Sequence, residues 1–277
     1  DYLKTQTDFE HNFGLDKSKN GLAIGKMFGV LVVQNKQNEI GYITAVSGKL
    51  ADTNSHKKFI PPVYDMLIKD SYYLKEKSIL NEMSIVIENL EYNTEFIELI
   101  ALYKSEGQKA AIDIREKKEE LKTGKIERDL RRGKAKTELS PEAYADYEKS
   151  LSKESLKAKQ FFNNVNRYWE YTLNPIKENL LVLKTQIANS KGERKNKSIA
   201  LQQYISDQYH FLNSKKEIKN LSQLFANTAI QNLPAGSGEC AAPKLLQYAF
   251  LNDLKPIAMA EFWWGESPNK EIRKHKH

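Results

Sequence analysis

The 277-residue chain has one cysteine, Cys240, which excludes an intramolecular disulfide framework and suits a reducing compartment, the cytoplasm being the expected one. Long hydrophobic runs are missing too. The most apolar stretches, Phe28 to Val33 and Ile257 to Trp264, fall far short of the roughly 20 residues that cross a bilayer, so neither a transmembrane helix nor a membrane partner is expected. The opening DYLKTQTDFE lacks the basic and apolar regions of a secretory signal, and Asp1 in place of Met points to a fragment or a trimmed chain. Signatures of dedicated chemistry are absent as well: no GxxxxGK[ST] phosphate loop, no GxSxG elbow and no HExxH zinc helix occurs.

Charge is plentiful and unbalanced. Lysine and arginine number 43 against 36 aspartates and glutamates, a formal charge of +7, which favours an anionic partner with nucleic acid the commonest one. A basic protein that is merely soluble remains the bland alternative. Aromatics at 10% argue against a disordered tail.

The clearest strand signal runs from Leu22 to Ala51, where LAIGKMFGVLVV and IGYITAVSG flank a polar NKQNE turn, the pattern of an antiparallel hairpin. Gly25, Gly29, Gly41 and Gly48 mark expected bends or bulges. Ile60-Pro61-Pro62 ends the ladder because proline cannot donate to it, and an amphipathic helix is expected over Val63 to Ile68. From Ser78 to Phe225 the pattern turns helical, with apolar residues at three- and four-residue steps: Leu156, Phe162, Val165 and Trp169 in one run, Ile176, Leu180, Leu183 and Ile187 in another. So narrow a stripe predicts a coiled-coil hairpin. Ser140-Pro141-Glu142 is a helix start, and Asn174-Pro175 a break or kink, giving at least three helices.

Beyond Phe225 a turn over Pro234 to Gly238, a helix over Cys240 to Leu251 and a buried strand over Pro256 to Gly265 are expected. The predicted fold is α+β: a small α/β domain of residues 1–77 and 226–277, built from the antiparallel hairpin and the C-terminal helix-strand, with a long helical coiled-coil arm, 78–225, inserted. The arm is also where two copies of the chain could pair.

Within the arm, Lys122, Lys125, Arg128, Arg131, Arg132, Lys134 and Lys136 face only Glu127 and Asp129 as local anions, and helical spacing makes them a candidate cationic ridge. Lys191, Arg194, Lys195 and Lys197 form a second cluster. Such spacing neutralises phosphates and gives salt-dependent affinity. A solvated coiled-coil face is the alternative, and Gly124 and Gly133 suggest a flexible arm tip.

In GSGECAAPKLL the helix start could hold an anion or depress the Cys240 thiol pKa. A nucleophilic cysteine needs a basic partner, and the chain offers His11, His56, His210, His275 and His277; a buried structural cysteine is the plainer reading. Glu239 and Glu261 could pair as carboxylates. Glu261, inside AMAEFWW, needs a partner, which an ion pair with lysine or arginine would supply as well as catalysis would. Trp263 and Trp264 point to opposite faces of a strand, leaving one available to stack a base. His275-Lys276-His277 is a weak metal-like tail that reads better as surface, so no metal is expected.

GKMFGVLVV with IGYITAVSGKLA, FIPPVYD, GERKNKSIALQQYI and, most specifically, PAGSGECAAPKLLQYAFLNDLKPIAMAEFWWGESPNKEIRKH together resemble the N-terminal extension of a bacterial subgroup of RluA-type RNA pseudouridine synthases. The resemblance spans nearly the whole chain. It implies an accessory region preceding a catalytic domain that isomerises uridine in structured RNA, tRNA or rRNA, without cofactor. The family's catalytic Arg-Leu-Asp is absent, and Arg128-Asp129-Leu130 has the same letters in another order, so no catalytic residue carries over. The implied work is to hold the RNA or dock the catalytic domain. The element order is also similar, more distantly, to the zinc deaminases, but Ala242 stands where their glutamate would be and no later cysteine follows.

Overall fold

A computed structural model describes residues 1–15, 18, 23–226, 228 and 236–267. The expected features at Leu22, at Pro234 and Ala235, and at His275 to His277 lie outside the described residues. The fold is mixed α+β, and the chain divides into two compact units, Asp1–Asn81 with Lys195–His277, and Glu82–Arg194. The helical unit is therefore shorter than the 78–225 span read from composition.

The first unit opens with a single turn of helix, α1 (Tyr2–Thr5), and holds a three-stranded antiparallel sheet in the order β2-β1-β5, from β1 (Lys26–Gln34), β2 (Ile40–Val46) and β5 (Lys255–Trp264). Alternation explains its two faces. Leu31 and Val33 of β1 and Ala45 of β2 pack beneath Ala241, Leu245 and Ala249 of α6 (Ala241–Leu251). Gly29 sits where α6 comes closest: an added Cβ would lie 2.8 Å from Leu245 and 2.9 Å from Ala241. Gly29 therefore serves helix contact, and the bulge lies elsewhere. Val32 pairs with Ala258 but Val33 with Pro256, leaving Ile257 extra. On the other face Phe13, Phe28, Val46 and Leu50 form a second cluster, with Phe59 and Trp264 against it.

After the hairpin, the Ile60 amide donates to the Thr44 carbonyl before the double proline ends the pairing. The helix expected over Val63 to Ile68 does not form. The Asp65 carboxylate accepts from the Leu67 amide and from Asn54, a side-chain turn that competes with helix. Helix begins later, at α2 (Tyr72–Glu91), where Ser71 Oγ accepts from the Leu74 amide.

Three long helices make up the expected arm: α2, α3 (Thr94–Glu138), capped by Asn93, and α4 (Pro141–Gln208). Ser140 caps α4 and Pro141 takes its first position, as the residue types predict. Pro175 does not end the helix; α4 continues through it to Gln208. Gly124 and Gly133 do not interrupt α3 either. In α4 Leu151, Trp169, Leu180, Ile187 and Leu201 are buried, which sustains the stripe, whereas Leu156 is exposed and lies off it.

Past Gln208 the chain leaves the helical pattern earlier than expected. It forms a short ribbon, β3 (His210–Leu212) and β4 (Ile218–Asn220), because Asn213 accepts from the Lys215 and Glu217 amides and Lys216 takes a left-handed φ of 65°. A short helix, α5 (Leu221–Phe225), follows with a capping box made by Asn220 and Gln223. No helix among the described residues is long and apolar enough to cross a membrane.

Candidate functional site

In the helical unit, contacts between α3 and α4 run antiparallel. Arg131 reaches Glu154 through both terminal guanidinium nitrogens, Nη2 at 2.5 Å and Nη1 at 3.4 Å, and Arg132 Nε lies 3.0 Å from Glu148. Lys117 sits over the Phe161 ring, and the buried Trp169 indole donates to Asp113 at 2.8 Å. In the same unit Lys191 pairs with Glu91, and Arg194 donates to Ser84 from α4 to α2. In the first unit Lys197 pairs with Glu76.

The expected cationic ridge is thus broken up. Arg132 also pairs with Asp129, Lys122 pairs with Glu119, and Arg128 is buried at 7% exposure, folded over Gly124. Beside Gly124 an open cleft of about 650 Å³ is lined by Arg115, Glu116, Glu119, Glu120 and Glu127, of which Glu119 pairs with Lys122 and Glu120 with Lys117. Carboxylates thus share this part of α3 with the cations, which the residues from Lys122 to Lys136 taken alone did not foretell. The Arg131 hydrogen bond, despite some desolvation, holds the Glu154 carboxyl below its ordinary range. Exposed pairs of this kind contribute little to stability, so their cations remain available to a stronger anion. Lys125, Lys134, Lys136 and Lys195 are exposed and make no ion pair among the described residues.

The Cys240 turn gathers most of the remaining candidates. A 3₁₀ turn (Ser237–Glu239) leads into α6, with Cys240 at the N-cap. Glu239 is buried. It accepts from the Tyr209 hydroxyl and from Lys244 Nζ at 3.3 Å, and Lys244 also donates to the Val46 carbonyl at 3.2 Å. Tyr209 and Lys244 were not singled out from the sequence, although Lys244 falls in the apolar stripe Ala241, Leu245, Ala249, where a lysine must find an anion. Burial and the bond to Glu239 hold the Tyr209 phenol far above its usual range.

Glu261 does not pair with Glu239, nor with a lysine or arginine among the described residues. Its carboxylate accepts from the Ala242 amide at 3.0 Å, while Ser47 Oγ accepts from Ala241, so both satisfy the start of α6. Cys240 is exposed, not the buried cysteine expected, and the helix start does not depress its thiol: partial desolvation pushes it up, and the Glu261 charge adds to the rise. Nor is a histidine among the charges that act on it within the described residues. Among the described residues His11, His56 and His210 bond to the carbonyls of Ile24, Leu50 and Gln208. Trp263 donates to the Gly265 and Glu266 carbonyls, whereas Trp264 packs against the Phe28 cluster. β5 is not the buried strand expected; it is the sheet edge, and eight of its ten residues are exposed. Among the described residues no group of three or more His, Cys, Asp or Glu is placed to hold a metal ion.

Compared with protein-family models, curated proteins and solved structures, the chain has no match.

Proposed function

We propose that this chain is an RNA-binding accessory region of a pseudouridine synthase of the RluA type, acting in the cytoplasm, where it holds structured RNA for a catalytic domain. The motif resemblance supplies the parent activity, and one structural observation supports the RNA contact. Lys125, Lys134 and Lys136 on α3 and Lys153, Lys157 and Lys159 on α4 are exposed, free of ion pairs among the described residues, and flank the turn at Leu139-Ser140. Cations so placed bind phosphate without reading sequence. The test is the affinity of the chain for tRNA or rRNA across a salt series. Binding should weaken steeply with salt, and reversal of Lys134, Lys136 and Lys153 to Glu should flatten the slope by about 0.9 for each phosphate no longer neutralised. Affinity indifferent to both overturns the reading.

A second reading, an interaction arm that pairs two copies of the chain, is favoured by apolar side chains left in solvent. Ile126 and Leu130, one turn apart on α3, are 61% and 65% exposed. Sedimentation that gives a monomer at every concentration removes it.

A further inference from the structure

We infer that the open face of the three-stranded sheet carries a groove for a single base of single-stranded nucleic acid, an inference that rests on the RNA reading above. α6 covers one face of the sheet. On the other, the Phe28 cluster covers one end only and leaves a groove of about 460 Å³, within the size range of small-molecule sites. Its walls are aromatic. The Phe28 and Phe262 rings stack at 5.9 Å with 27° between planes, Phe59 lies 5.5 Å from Phe28, and Tyr42 stands 72% exposed at the mouth. Phe28 is buried and backs the groove, while the exposed rings of Tyr42 and Phe262 are of the kind that stack bases of any identity.

Two further observations point to the same ligand. Trp264 lines the groove, and its indole N–H is buried without a hydrogen-bond partner among the described residues. Indole can only donate, so what this closed-off N–H lacks is an acceptor, which the carbonyl or ring nitrogen of a base supplies once the ring turns that edge into the groove. Lys4 and Lys58 stand exposed at the rim, neither in an ion pair among the described residues, where the phosphates flanking a seated base would lie. Asp1 shares that rim, so the cations hold the majority. An apolar peptide would use the rings but not the lysines.

The experiment measures anisotropy of labelled penta-uridylate and penta-adenylate with the full chain, beside structured RNA, for the wild type and for Tyr42→Ala, Phe262→Ala and Trp264→Phe. Both short strands should bind and quench tryptophan fluorescence, and each groove variant should weaken them by about ten- to a hundredfold. Tyr42 is exposed, so Tyr42→Ala keeps the test valid if Phe262→Ala unfolds. Wild type that ignores the short strands, or Tyr42→Ala and Trp264→Phe that bind them unchanged, overturns the groove. Structured RNA that is insensitive to Lys134→Glu, Lys136→Glu and Lys153→Glu overturns the arm contact instead, and the two failures are read from different variants.

Discussion

Gly238 lies flat against Tyr209: a Cβ added at the glycine would come within 2.7 Å of three atoms of the tyrosine ring. The ring is fully buried, and its hydroxyl is held by Glu239 one residue on, so it cannot swing away. Gly238→Ala should therefore destabilise the chain by about 1–3 kcal/mol through overpacking, read from urea denaturation. An unchanged midpoint would mean that the turn and Tyr209 do not pack as described.

The Lys244–Glu239 pair should behave as a unit. Lys244→Met alone leaves a buried carboxylate with only the Tyr209 hydroxyl, and a loss of about 3–5 kcal/mol is expected. Adding Glu239→Gln to it should recover part of that loss, because the stranded charge disappears. Strictly additive losses in the double-mutant cycle would contradict the pairing.

Glu261→Gln keeps an acceptor for the Ala242 amide but removes the charge beside the helix start. Stability should fall by only about 0.3–1 kcal/mol. The Cys240 thiol should titrate at lower pH, since Glu261 is one of the groups that raise it. The pH dependence of alkylation by iodoacetamide reads this shift.

Asp253 bridges two turns, bonding Lys216 at 2.6 Å and Lys36 at 2.9 Å. Those bonds, that to Lys216 foremost, lower its carboxyl from 3.8 to about 2. A depressed carboxyl stabilises the fold above its unfolded pKa, and the contribution is lost as pH falls from 3.8 towards 2. Asp253→Asn should thus show a weaker fall in thermal midpoint across that window than the wild type, and parallel curves would refute the bridge.

Pro175 lies inside α4 and cannot donate to the carbonyl of Tyr171, four residues back. Pro175→Ala should stabilise the helical unit by up to about 3 kcal/mol, visible as a raised thermal midpoint by circular dichroism. A lowered midpoint would show that the proline shapes a bend the packing requires.

Much of the architecture was legible because it rests on local rules. The hairpin about NKQNE, the cap at Ser140 with Pro141, the helix after Cys240 and the strand before Gly265 all formed within a residue or a few of the expected places. The errors share a cause. Val63 to Ile68 carried apolar spacing but lost to the Asp65 side chain, and the ribbon at Asn213 hid within a charged stretch that reads as helix. Pro175 reads as a break, yet α4 runs on through it, and packing along the whole length of a helix can outweigh one missing bond.

For the stretch from Gly236 to Gly265, the sequence alone determined the elements: a turn, an apolar helix after Cys240 and a strand, though not the strand's exposure. Which charges meet was decided only by the tertiary structure. Glu239 and Glu261 are 22 positions apart and look alike as letters, but one is buried against Tyr209 and Lys244 and the other closes a helix start. The same holds for the arm, where seven cations in a row of fifteen residues promise a ridge, and antiparallel packing turns two of them, Arg131 and Arg132, toward the carboxylates of the facing helix. Spacing along the chain sets which face a side chain occupies; its partner comes from residues far away in sequence, which only packing brings within reach.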